Sequence, residues 1–104
     1  MSLSPTSGGT ITVTLAQQLT RKFRSKFPNE INASFIGTDN INLILGQKDC
    51  IGIRVYHGYD EEAGQLKLVM VGVDNEEKDI TDGYIMDRMV ICPNDCDFTS
   101  ALML

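Results

Sequence analysis

Residues 50–73 read CIGIRVYHGYDEEAGQLKLVMVGV, and this stretch decides the fold. From Cys50 to Tyr59 the side chains alternate, with Ile51, Ile53 and Val55 on one side and Gly52, Arg54 and Tyr56 on the other. A period of two marks a strand with one face in the core. Asp60-Glu61-Glu62-Ala63-Gly64 interrupts the pattern, and Gly64 can take the positive φ that a tight reversal needs. Leu66 to Val73 then resumes it with apolar residues on both faces: Leu66, Leu68 and Met70 on one, Val69, Val71 and Val73 on the other. A strand apolar on both faces lies inside a sheet or under cover on each side. The two runs predict an antiparallel hairpin, with Gly72 marking a close approach or a bulge.

The assumed register sets Val55 opposite Val69. That register leaves Leu66, Leu68 and Met70 on the face of Arg54 and Tyr56. A slip of one residue swaps the faces of one strand. The covers available to the Leu66–Met70 row are the segment Tyr84–Ile91, a short helix near Ile44, the apolar tail Phe98–Leu104, or a second subunit.

Before the hairpin, Leu15, Leu19, Phe23 and Phe27 recur every four residues and make an apolar stripe with Ala16. They predict a helix over residues 15–27, capped by Thr14 with Gln17 at the capping-box position and stopped by Pro28. Its stripe is expected to pack on the Ile51, Ile53 and Val55 face. Residues 33–37 predict a brief strand ending at Gly37, and Asp39 is the expected cap of a short helix that Gly46 ends. Residues 1–10 read as a disordered tail and 11–104 as one domain. The expected fold is α+β: an antiparallel sheet of three to four strands with the N-terminal helix on one face.

Composition narrows the function classes. At 42% hydrophobic and 22% charged residues, the chain of 104 residues can build a core without metal or disulfide staples. A net charge of −5 excludes a general phosphate-binding surface, and hence nucleic acid as the expected partner. The basic residues Arg21, Lys22, Arg24 and Lys26 fit the last turns of a helix, where cations complement the dipole. No apolar run is long enough to span a bilayer, and the opening MSLSPTSGG has no charged or apolar leader region, so the expectation is a cytoplasmic protein, or one whose leader was removed before this numbering begins.

Candidate chemistry is sparse. Cys92 and Cys96 stand in a CPNDC turn at a spacing that suits two thiolates on one metal ion. Cys50 and His57 complete a ligand set by count only, since seven residues of strand hold them on opposite faces and roughly 20 Å apart. A proline-kinked turn with ordinary thiols, or a local disulfide in an exported protein, explains the CPNDC turn more simply. His57, the one histidine, lies between Tyr56 and Asp60, and the three could frame a general base. No nucleophile is tied to them by a local pattern, and a histidine at a strand end is more often half-exposed above a core. The acids Asp60, Glu61, Glu62, Asp74, Glu76, Glu77 and Asp79 show no calcium-loop spacing. No phosphate loop, zinc-protease or nucleophile-elbow motif occurs, and no cofactor is expected.

The run Gly52-Ile53-Arg54-Val55-Tyr56-His57-Gly58-Tyr59-Asp60, followed by Leu68 to Asp74 and a late Cys-Pro turn, resembles a family of small uncharacterised bacterial proteins, mainly from Bacteroidetes. Those chains share a helix, an "IRxYxGxD"-like strand, an "LVLVGVD"-like strand and a "CPxxC"-like turn. The resemblance covers nearly all of the chain after residue 10 and implies no activity. From the two apolar faces of residues 66–73, the apolar C-terminal stretch and the lack of a coherent catalytic set, the expected function is a non-enzymatic protein-binding or assembly module, acting with a protein partner or as a homo-oligomer. The alternative is a small enzyme or ligand-binding protein centred on Tyr56, His57 and Asp60.

Overall fold

The computed structural model describes residues 2–104 and has the α+β composition read from the sequence. Its elements are α1 (Val13–Lys26), β1 (Ala33–Phe35), α2 (Thr38–Leu45), β2 (Cys50–Asp60), β3 (Gln65–Asp74), β4 (Ile85–Met86), β5 (Val90–Cys92) and a 3-10 turn (Ala101–Met103). Strands β2-β3-β4 form one antiparallel sheet in that order, and β1 pairs with β5 in a second. Contacts gather the described chain into two compact units: residues 2–7 with 35–89, and residues 8–34 with 90–104.

In the first unit the hairpin forms as the alternation predicts, but its register is one residue away from the expected one. Val55 pairs with Met70 and Tyr56 with Val69. The turn is the cause. The Asp60 carbonyl accepts the Gly64 amide at 2.8 Å, while Asp60 Oδ1 accepts the amides of Glu62 and Ala63 at 3.1 and 3.2 Å. Gly64 takes φ 66°, and Asp60 then pairs with Gln65. Partners across a ladder share a face. Val55, His57 and Tyr59 therefore lie with Met70, Leu68 and Leu66, and Arg54 and Tyr56 lie with Val71 and Val69. At the other end of β2 the pairing shifts between Cys50 and Gly52, which leaves Ile51 as the extra residue of a bulge.

Helix α2 packs at the Gly72 end of the Leu66–Met70 face, and Leu66, Leu68 and Met70 are half-buried. Ile44 is fully buried, and α2 contacts both β2 and β3. Gly72 is where they meet. A Cβ there would stand 2.9 Å from Gln47 Nε2, 3.0 Å from Cys50 Sγ and 3.3 Å from Ile44 Cγ2. Gln47 also donates to the Ile44 carbonyl at 2.9 Å and accepts the Tyr84 amide at 3.1 Å, which ties the chain before β4 to the end of α2. Gly37, not Asp39, caps α2, and Asp39 falls in its first turn. Residues 2–7, read as loose from their composition, belong to this unit, and the Leu3 amide donates to Glu77 Oε1 at 2.7 Å.

In the second unit α1 begins two residues earlier than its stripe suggests. Thr12 Oγ1 accepts the Leu15 amide at 3.1 Å, so Thr12 caps the helix and Thr14 lies within its first turn. Phe27 closes it just before Pro28, and its ring tilts against Phe23 at a centroid distance of 5.2 Å. Within this unit α1 contacts the C-terminal 3-10 turn. Two of the helix cations hold that turn: Arg24 donates to the carbonyls of Leu102 and Leu104 at 2.6 and 2.7 Å, and Arg21 to Leu104 at 3.1 Å. Cys92 and Cys96 are joined in a disulfide, one of the two alternatives that the CPNDC turn leaves open.

Candidate functional site

Strand β2 carries the polar groups singled out in the sequence, and its pleat sorts them. Tyr56 and His57 are adjacent, so they project to opposite faces. Tyr56 turns away from His57 and donates its hydroxyl to Asp79 Oδ2, while Arg54 Nη1 reaches Asp79 Oδ1 at 2.5 Å. One carboxylate is thereby shared by two side chains of β2, and an isolated bridge between Val73 and Asp79 holds its backbone to β3. The Tyr56 hydroxyl, followed by the Arg54 guanidinium, holds the Asp79 carboxyl below the usual carboxylate range. In return, hydrogen bonding to Asp79 pushes the Tyr56 phenol and the Arg54 guanidinium above theirs.

This arrangement is a clip. Both carboxylate oxygens of Asp79 accept from fixed donors, so the group is poorly placed to take a proton from a substrate. His57 is exposed on the other face, in the row of Val55 and Tyr59. Asp60 is engaged in the turn, and its Oδ2 lies 3.7 Å from Lys67 Nζ. Tyr56, His57 and Asp60 thus do not converge. The other acids are similarly local: Asp74 Oδ1 accepts the amides of Glu76 and Lys78 at 2.9 and 3.0 Å. Cys92 and Cys96 hold each other and present no thiolates to a metal, and no group of three metal-ligating side chains gathers among the described residues.

The second unit has a cleft of about 460 Å³ between α1, the disulfide turn and the C-terminal turn, lined by Leu19, Phe23, Cys96, Leu102 and Met103 with Arg24 at hand. It is largely apolar, and its one guanidinium is already bound to backbone carbonyls. No family model, curated protein or solved structure matches the chain. Among the described residues, no helix is long and apolar enough to cross a membrane.

Among the described residues, no strand pairs with the outer edge of β2. The strand has eleven residues and occupies one border of its sheet, bonded to β3 on a single side. Val55, Tyr56 and Tyr59 beside that edge are 41%, 46% and 58% exposed. Sequence reasoning missed both Asp79, which lies more than twenty positions from its partners, and the edge itself. The Arg54–Tyr56 spacing does place those two on one face, and that was the available signal.

Proposed function

We propose that this chain is a non-enzymatic binding or assembly module whose docking element is the outer edge of β2. The observation that carries the reading is a long border strand with no strand paired on its outer side and exposed apolar side chains along it. Native proteins blunt such edges with prolines, lysines or short strands, because an open edge recruits another strand. Residues 54–60 contain neither proline nor lysine. An added strand supplies main-chain hydrogen bonds for affinity, and alternate side chains such as Val55 and Tyr59 supply selectivity. The separation of Tyr56, His57 and Asp60 speaks for this class over the enzyme class. The family resemblance adds no residue roles. The Cys92–Cys96 bond supports an oxidising compartment rather than the cytoplasm, since reducing cytosols keep thiols free.

Amide hydrogen exchange on the dilute chain tests the reading. The alternate amides of β2 that point away from β3 are expected to exchange fast, and their neighbours that point toward β3 slowly. Slow exchange of both sets in a monomeric sample means the edge is covered, and the proposal fails.

A further inference from the structure

We infer that β2 pairs with β2 of a second copy of this chain, antiparallel about a twofold axis at His57. The two three-stranded sheets then join into one continuous sheet. The inference rests on the binding-module reading and names its partner.

The usable part of the edge is set by its surroundings. The Cys50 end of β2 is bulged. Beside it, Leu3, Ser4, Pro5 and Ser7 flank residues 51–55 across a cleft of about 380 Å³. The stretch 54–60 is regularly paired on its inner side. Residues 56–60 lie beyond both features, and Arg54 and Val55 line the near end of that cleft.

Symmetry then limits the registers. Antiparallel strands related by a twofold axis keep their faces, so residues directly opposite must have the same parity along the strand. The axis must therefore pass through a residue. An axis at Val55 sets Arg54 against Tyr56, and one at Tyr56 sets Arg54 against Gly58. An axis at Gly58 drives Val55 against Glu61 of the turn. At His57 the pairing becomes self-complementary. Arg54 opposes Asp60 twice, Val55 opposes Tyr59 twice, and Tyr56 opposes Gly58. Opposite charges and β-branched–aromatic pairs directly across a ladder are stabilising. Asp79 occupies Nη1 of Arg54, and a guanidinium carries five donors, so bonding to a second carboxylate is compatible with the clip. The same register places the exposed row Val55, His57 and Tyr59 against its own copy. A second copy is thus the partner that this edge matches in charge and in cross-strand pairing.

The test combines sedimentation of the full chain with oxidative cross-linking in a Cys50→Ser background that keeps the native disulfide. Wild type is expected to sediment as a dimer at high concentration. His57→Cys is expected to give a covalent dimer, because position 57 faces itself at about 5 Å between Cβ atoms. Val55→Cys and Tyr59→Cys alone are expected to give none, since each lies about 13 Å along the strand from its own copy. Mixed together, those two variants are expected to cross-link, which also covers a failure of His57→Cys to fold. A dimer that cross-links at 55 or 59 alone, but not in the mixed sample, overturns the register and with it the inference. A monomer up to millimolar concentration overturns self-pairing. In that case fast exchange of the outward β2 amides leaves the binding-module reading intact with another partner, and slow exchange removes both.

Discussion

Arg54 Nη1 lies 2.5 Å from Asp79 Oδ1, and this contact fastens the loop after β3 to strand β2. The loop between β3 and β4 has little regular structure of its own, so side-chain bonds such as this one and the Gln47–Tyr84 contact define its path. Asp79 accepts from Tyr56 as well, which makes it the hub of the clip.

The acid limb of the stability curve should report that hub. The Asp79 pKa is lower in the folded chain, chiefly through Tyr56 and then Arg54. Its stabilisation is complete above the unfolded value of about 3.9 and is lost as pH falls through the folded value. Thermal melts across the acid range should show wild type losing more stability on acidification than Asp79→Asn. Parallel curves for the two proteins would mean that the carboxylate contributes nothing.

At the alkaline end the sign reverses. Tyr56 is raised above the usual phenol range by its bond to Asp79, so its contribution is present below about pH 10 and fades as pH rises through the folded value. Ultraviolet titration of the phenolates should therefore show a component that moves to lower pH in Asp79→Asn. An unchanged titration curve argues that the hydroxyl is not bound.

Gly72→Ala tests the contact between α2 and the hairpin. The new methyl would meet Gln47 Nε2 at 2.9 Å, Cys50 Sγ at 3.0 Å and Ile44 Cγ2 at 3.3 Å. Gln47 can give only by loosening its bonds to Ile44 and Tyr84. Overpacking of this kind costs about 1–3 kcal/mol, readable in a urea melt. A change under about 0.5 kcal/mol, the range of surface substitutions, would place α2 away from Gly72.

Thiol counting settles the Cys92–Cys96 bond. One reactive thiol, Cys50, is expected in the unfolded oxidised chain, and three after reduction. Closing so short a loop restrains the unfolded state by about 2 kcal/mol, so reduction should lower the melting temperature. Three thiols without reductant would contradict the bond.

Two features were legible because their signals are local. The alternation of residues 50–59 and 66–73 around a glycine-ended turn dictates a hairpin, and the four-residue stripe before Pro28 dictates α1. Tyr56, His57 and Asp60 were recognisable as polar groups on or beside one strand, and they are there. Their partners were not recognisable. Hydrophobic alternation is satisfied equally by registers that differ by one residue when β3 is apolar on both faces. The choice fell to the Asp60 side chain and the Gly64 conformation, which put four residues in the turn and pair Asp60 with Gln65. That one-residue difference moved Val55, His57 and Tyr59 onto the Leu66–Met70 face and turned Tyr56 toward Asp79. The sequence alone thus determined which segments become strands and helices, since period and punctuation act between near neighbours. Only the tertiary structure decided which faces meet, because contacts between distant residues leave no period in the chain.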